Sequence, residues 1–118
     1  MRKLWRIQKR ENLNAVYYGR REKDDGSAYH EYAVFREGDP ADEDAPALLR
    51  VTFQTGSRGN PASVDGVLDS DLLEMVRDRL KNFQDGPYKC AENANALRHV
   101  EEALLWLAKR ADDHKEGR

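Results

Sequence analysis

The chain changes its hydrophobic period once, near its middle. Up to residue 54 there are four short β-like segments, three of them with apolar positions at every second residue and one rich in aromatic and β-branched types. Trp5 and Ile7 alternate with Arg6 and Gln8; Leu13, Ala15 and Tyr17 share one side of a stretch ending at Tyr18; residues 28–36 carry Tyr29, Tyr32, Val34 and Phe35; and Leu49, Val51 and Phe53 alternate with Arg50, Thr52 and Gln54. Period two with aromatic and β-branched residues predicts four short strands. Asp24-Asp25-Gly26-Ser27 reads as a hairpin turn, and Gly38 to Pro46 as an acidic, proline-bearing loop. No helical pattern separates the segments, so the sheet is expected to be antiparallel.

Beyond residue 54 the period becomes helical. TGSRGNPASVDG, residues 55–66, is a loop by composition. Asp69, Ser70 and Asp71 offer N-caps, with Asp71 and Glu74 at capping-box spacing. Leu72, Leu73, Val76, Leu80 and Phe83 then recur at helical intervals until Gly86-Pro87 stops the helix. A second helix is expected from about Lys89 to Ala111, with the stripe Asn93, Leu97, Val100, Leu104, Leu107 and Ala111. The short connection makes the pair an antiparallel hairpin. The tail from Asp112 to Arg118 is charged and expected to fray. The fold class is therefore α+β: a small antiparallel sheet of about four strands, then a C-terminal helical hairpin, with residues 1–118 expected to form a single domain (sheet 1–55, loop 56–68, hairpin 69–111). The hairpin is expected to cover the sheet or to dock a partner.

Composition narrows the function classes. With 118 residues the chain suits one domain, and 39% hydrophobic residues are enough for a core despite 36% charged. Cys90 is the single cysteine, so neither a disulfide framework nor a cysteine-based zinc site is expected. No apolar run has the length of a membrane span, and the N-terminal segment has no apolar stretch of signal-peptide type; a cytoplasmic protein is expected. A net charge of −2 argues against general nucleic-acid binding. The charge is segregated, however. Residues 1–23 hold eight Lys or Arg against Glu11 and Glu22, whereas residues 24–47 hold eight acids against Arg36. Such segregation either steers an anionic ligand or pairs neighbouring strands.

The richest candidate chemistry lies on a second face of the last helix. Tyr88, Glu92, Asn95, His99, Glu102 and Trp106 follow one another at steps of 4-3-4-3-4 and line one side. An acid, an amide, an imidazole, an acid and an indole in a row suit a polar heterocyclic ligand; the plainer reading is a solvated face with Trp106 as a packing anchor. Asn93 belongs to the apolar stripe, where its amide fixes the hairpin register or caps the connection. His99 and Glu102 form at most half a metal site, so no metal and no cofactor are expected. Cys90 follows Pro87 closely, but no base is tied to it, and it is expected to pack in the core. Arg58 and the amides of the 56–66 loop are candidates for phosphate, as is Arg79, although no Walker loop is present. No nucleophile, base or metal set can be assembled, so an enzyme is not expected.

The C-terminal half resembles a family of small phage and prophage proteins. Their pattern reads FQ-x-G-P, a short insert ending in N-G, then RL-x-x-FQ-x-GP-[FY]-x-C-x-EN-x-x-AL-x-x-x-EEAL-x-WL-x-x-R. The chain matches at Phe53-Gln54, Arg79-Leu80, Phe83-Gln84, Gly86-Pro87, Cys90, Glu92-Asn93, Ala96-Leu97, Glu101 to Leu104, Trp106-Leu107 and Arg110. It departs at Ser57, where the family has Pro, and at Asp65-Gly66, where it has Asn-Gly. The architecture also resembles the phage sponge proteins that counter Thoeris and CBASS defence. That resemblance implies a homo-oligomer, working in the host cytoplasm, that binds a cyclic nucleotide or cyclic ADP-ribose signal at subunit interfaces without degrading it. It also implies that Gln54, Glu92 and Asn93 help shape the pocket. The alternative is a protein-interaction module that inhibits a host defence or replication enzyme through the acidic 37–44 loop and the hairpin surface.

Overall fold

The structure is a computed structural model and describes residues 1–8, 13–19 and 28–114. It divides into two compact units, residues 1–66 and 67–118.

The first unit is a four-stranded antiparallel meander, in the spatial order β1 (Arg2–Lys3), β2 (Asn14–Tyr18), β3 (Glu31–Arg36), β4 (Leu49–Thr52). The first strand is not the alternating Trp5–Ile7 segment. It is Arg2–Lys3, paired with Tyr18 and Tyr17, after which Leu4 donates to the Val16 carbonyl and the chain leaves the sheet. Trp5 and Ile7 are consequently exposed, at 74% and 86%. The expected turn at Asp24 to Ser27 lies outside the described residues. So do parts of both oppositely charged segments, but one ion pair between them is visible: Lys3 donates to Glu37 at 2.9 Å. That hydrogen bond, and then the Glu37 charge, raises the Lys3 pKa above its ordinary value.

Register explains which side of the sheet is filled. Ala15 faces Phe35 and Tyr17 faces Ala33 across β2 and β3, and Ala33 faces Arg50 across β3 and β4. Directly opposed residues lie on one face, and on this face Ala15, Ala33 and Phe35 are fully buried. Tyr17 meets the Phe35 ring edge-on at 5.6 Å. The Arg50 guanidinium lies 5.6 Å from the centre of the same ring and donates to the carbonyls of Asp42 and Ala45. Arg50 thus roofs the core with its own side chain and anchors the acidic loop. The apolar positions of β4 fall on the opposite face, where Val51 is half-buried and Leu49 is 48% exposed.

The second unit is the helical hairpin: α1 (Asp69–Gln84) and α2 (Ala91–Asp113). Asp71 begins α1 by reaching back, its Oδ2 accepting from the Leu68 N–H at 2.8 Å. Leu68 has no side-chain acceptor to return the bond, so the Asp71–Glu74 pairing expected as a capping box is replaced by half a box one turn earlier. The stripe of α2 is as the spacing predicts: Asn93, Leu97, Val100, Leu104, Leu107 and Ala111 are all half-buried. The stripe of α1 is rotated from the expected one. Leu72, Leu73, Arg77, Leu80 and Gln84 are half-buried, while Val76 is 43% exposed and Phe83 sits at the margin. On the inward side Arg77 takes the place expected of Val76, its Nε donating to Glu101 of α2 at 2.8 Å. No residue of either helix is fully buried. The helix also runs two residues further than Ala111, and Lys109 pairs with Asp113 at 2.6 Å; the rest of the expected frayed tail, from residue 115, lies outside the described residues.

Candidate functional site

The candidate residues fall into two sets, one in each unit. The first grows out of the end of β4. Thr55 and Val64 exchange both backbone hydrogen bonds at 2.9 Å, which closes residues 55–64 into a loop rather than leaving them irregular. Asn60 organises the tip: its carbonyl accepts from the Ser63 N–H and Oγ, and its Oδ1 from the Ala62 N–H. Gln54 holds the base. Its Nε2 donates to the Gly56 carbonyl at 3.1 Å, and its Oε1 accepts from Arg58 Nη2 at 2.7 Å and from the Gly66 N–H at 3.1 Å. Arg58 Nη2 also donates to the Gly66 carbonyl at 2.7 Å, and Asp65 lies 3.6 Å from its Nε.

This network accounts for both glycines of the family pattern in this stretch. Gly56 has a positive φ of 78°, which L side chains rarely adopt. Gly66 lies flat against β4: a Cβ there would stand 2.3 Å from the Thr52 carbonyl oxygen and 2.6 Å from the Phe53 carbonyl carbon. Any side chain would force the two strands of backbone apart and break the Gln54 bond.

The second set lies on the hairpin. The motif positions around the bend form one hydrogen-bonded unit. Gln84 Oε1 accepts from the Cys90 N–H at 3.0 Å, Asn93 Nδ2 donates to the Tyr88 carbonyl at 3.3 Å, and the Asn93 N–H donates to Cys90 Sγ at 3.4 Å. Asn93 thus caps the connection, one of the two structural tasks expected of it. Cys90 is not in a core. It is exposed and serves as the N-cap of α2, because its thiol is the acceptor that the first turn of the helix lacks. Beside the bend, the Arg79 guanidinium lies 5.5 Å from the centre of the Phe83 ring, and Phe83 meets Tyr88 edge-on at 6.5 Å. Phe83, expected only as one of the apolar positions of the α1 stripe, is the middle of an arginine–aromatic row that leads outward to Tyr88, 74% exposed.

Along the outer face of α2, Glu92, Asn95, His99, Glu102 and Trp106 are all exposed, Trp106 at 65%. His99 and Glu102 approach to 3.6 Å, and Arg98 Nη2 lies 3.4 Å from His99 Nε2. The structure therefore joins Gln54 with Arg58, Arg79 with Tyr88 through Phe83, Tyr88 with Asn93, and His99 with Glu102. Among the described residues no group of three or more His, Cys, Asp or Glu is placed to hold a metal ion. No described helix is long and apolar enough to cross a membrane.

A helical hairpin whose bend is bonded through Gln84, Cys90 and Asn93 can be compared with known families. The model of the Acb2/Tad1 hairpin domain matches residues 44–112, more than half of the chain. The chain belongs to the Acb2/Tad1 hairpin family. It is also similar to a protein of Bacillus phage SBSphiJ7 named Thoeris anti-defense 1, at 40% identity over 72 residues. The matched stretch is 61% of this chain and 50% of that protein, so the chain spans about half the length of this relative. The family's matched region takes in the 55–66 loop as well as the hairpin, so both candidate sets lie inside it.

Proposed function

We propose that this protein is a phage-encoded anti-defence binding protein that sequesters a cyclic nucleotide or cyclic ADP-ribose type of immune signal without cleaving it, acting in the host cytoplasm as a homo-oligomer. The observation that carries the reading is the family membership together with the 40% identity to a Thoeris anti-defence protein. The surface chemistry is consistent with it. Arg58 and Arg79 supply charge for phosphate, and Tyr88 and Trp106 supply exposed ring faces for stacking. Asn95, His99 and Glu102 supply donors and acceptors for base or ribose edges. Gln54, Glu92 and Asn93 shape the surroundings, and two of these three are committed to bonds within the protein. A homo-oligomer is supported by the hairpin, which buries no residue fully and leaves Met75, Leu105 and Trp106 at 58%, 72% and 65% exposure.

Thermal unfolding against a panel of cyclic di- and trinucleotides and cyclic ADP-ribose isomers tests this. A ligand at about 100 times its Kd stabilises by roughly 2.7 kcal/mol, a rise in Tm on the order of 10 °C for a chain of this size. We expect one ligand class to give such a shift and Trp106→Ala to reduce it with the fold intact. No shift across the panel would favour the protein-interaction alternative, with a host enzyme as the partner.

A further inference from the structure

We propose that Gln54 is a positioning residue: it pins Nη2 of the Arg58 guanidinium so that Nη1 is held outward for an anionic oxygen of the ligand. This rests on the proposed reading that Arg58 meets phosphate. The geometry is specific. Arg58 Nη2 has two hydrogens, and both are committed, one to Gln54 Oε1 and one to the Gly66 carbonyl, each at 2.7 Å. Nη1 takes part in neither bond. Gln54 is itself fixed at both ends of its amide, by the Gly56 carbonyl and the Gly66 N–H, and the β4 backbone against which Gly66 lies fixes that glycine in turn.

An arginine side chain that is 66% exposed would ordinarily sample many rotamers and lose that freedom on binding. Here the freedom is already lost before any ligand arrives. The neighbouring Asp65, itself 73% exposed, approaches Nε at 3.6 Å, and the Nη1 donors make none of the bonds that hold the group among the described residues. With both Nη2 hydrogens taken, neither two-nitrogen edge of the guanidinium is whole, so Nη1 offers single charge-assisted N–H bonds to a phosphate or phosphodiester oxygen, in directions fixed by the plane of the pinned group. Gln54, half-buried and bonded three ways, has no donor or acceptor left of the kind a ligand contact needs, apart from one Nε2 hydrogen.

The test uses the full chain with Gln54→Leu, Gln54→Glu, Arg58→Ala and the Gln54→Leu/Arg58→Ala double variant. The first readout needs no ligand: 15N relaxation of the Arg58 Nε–H. It should be rigid in the wild type, loose in Gln54→Leu, and intermediate in Gln54→Glu, whose carboxylate still accepts from Arg58 and Gly66 but turns an oxygen instead of a donor toward the Gly56 carbonyl. The second readout is affinity for cyclic ADP-ribose and for a cyclic trinucleotide as probes. Gln54→Leu should weaken the bound probe about tenfold in the wild-type background and less than about twofold in the Arg58→Ala background, the non-additivity of two groups acting as one. An Arg58 Nε–H equally rigid in Gln54→Leu, or an equal loss in both backgrounds, overturns the positioning role. An Arg58→Ala variant that binds as the wild type does, or a wild type that binds neither probe, instead overturns the phosphate reading, and the relaxation result says separately whether the pin exists.

Discussion

The two units of this chain hold themselves together by different means. The sheet unit has a small but complete core, with Ala15, Ala33 and Phe35 fully buried beneath the roof that Arg50 makes. The hairpin has none: its apolar stripes meet, yet every residue along them keeps some contact with water. Polar bonds do much of the specifying there. Arg77–Glu101 sets the register of one helix against the other, and Gln84, Cys90 and Asn93 fix the bend. The comparison teaches that the sheet unit has an enclosed centre and the hairpin has none, although both leave large apolar side chains exposed, Trp5 and Ile7 in the one and Leu105 and Trp106 in the other. Under the proposed function those of the hairpin meet a second copy.

Core truncation should separate the two most strongly. Phe35→Ala removes the one large side chain that is completely enclosed among the described residues, and should cost about 3–5 kcal/mol in urea unfolding at any protein concentration. In the hairpin, Leu104→Ala should cost less in the monomer, about 1–2 kcal/mol, because its site is already partly wet. Its cost should grow with protein concentration if copies associate through the hairpin, since assembly stabilises by mass action. An unfolding midpoint of the wild type that does not change with concentration would erase this contrast. The smallest effect is expected for Arg77→Ala. Both partners of that ion pair are about 40% exposed, so the loss should be about 0.5 kcal/mol or less, falling further in high salt. A loss above 2 kcal/mol would mean that the pair is shielded by something that covers the hairpin.

Parts of this structure were legible in the chain because their causes are local. The stripe Leu97, Val100, Leu104 and Leu107 follows from periodicity alone, and the Gly86-Pro87 stop follows from backbone chemistry. The antiparallel order of β2, β3 and β4 followed from three of the expected segments with no helix between them. What could not be read depends on partners distant in sequence. Arg2–Lys3 is a strand because Tyr17 and Tyr18 pair with it, not because of its own pattern. Arg77, not Val76, is turned inward on α1, and its partner Glu101 is 24 residues away. Cys90 was expected in the core, yet the first turn of α2 needs an acceptor and the thiol provides it.

The candidate surface divides the same way. The outer row of α2, from Glu92 to Trp106, was visible as spacing and is exposed as expected. The Gln54 network joins residues 54, 56, 58 and 66, and no periodicity announces it. The only hint was that the Gln and Gly positions belong to one family pattern. Phe83 was hidden for the opposite reason: it fits an apolar stripe, while Arg79 and Tyr88 place it at the surface.

Retention of an intact signal is the most direct test of the central claim. The purified protein would be mixed with substoichiometric cyclic ADP-ribose isomers and cyclic oligonucleotides, passed over a size-cutoff filter, and denatured, with both fractions read by mass spectrometry. The account predicts that one class of cyclic nucleotide stays with the protein and is released at its original mass on denaturation. Free passage of every compound through the filter, or release of a hydrolysed product, would contradict it.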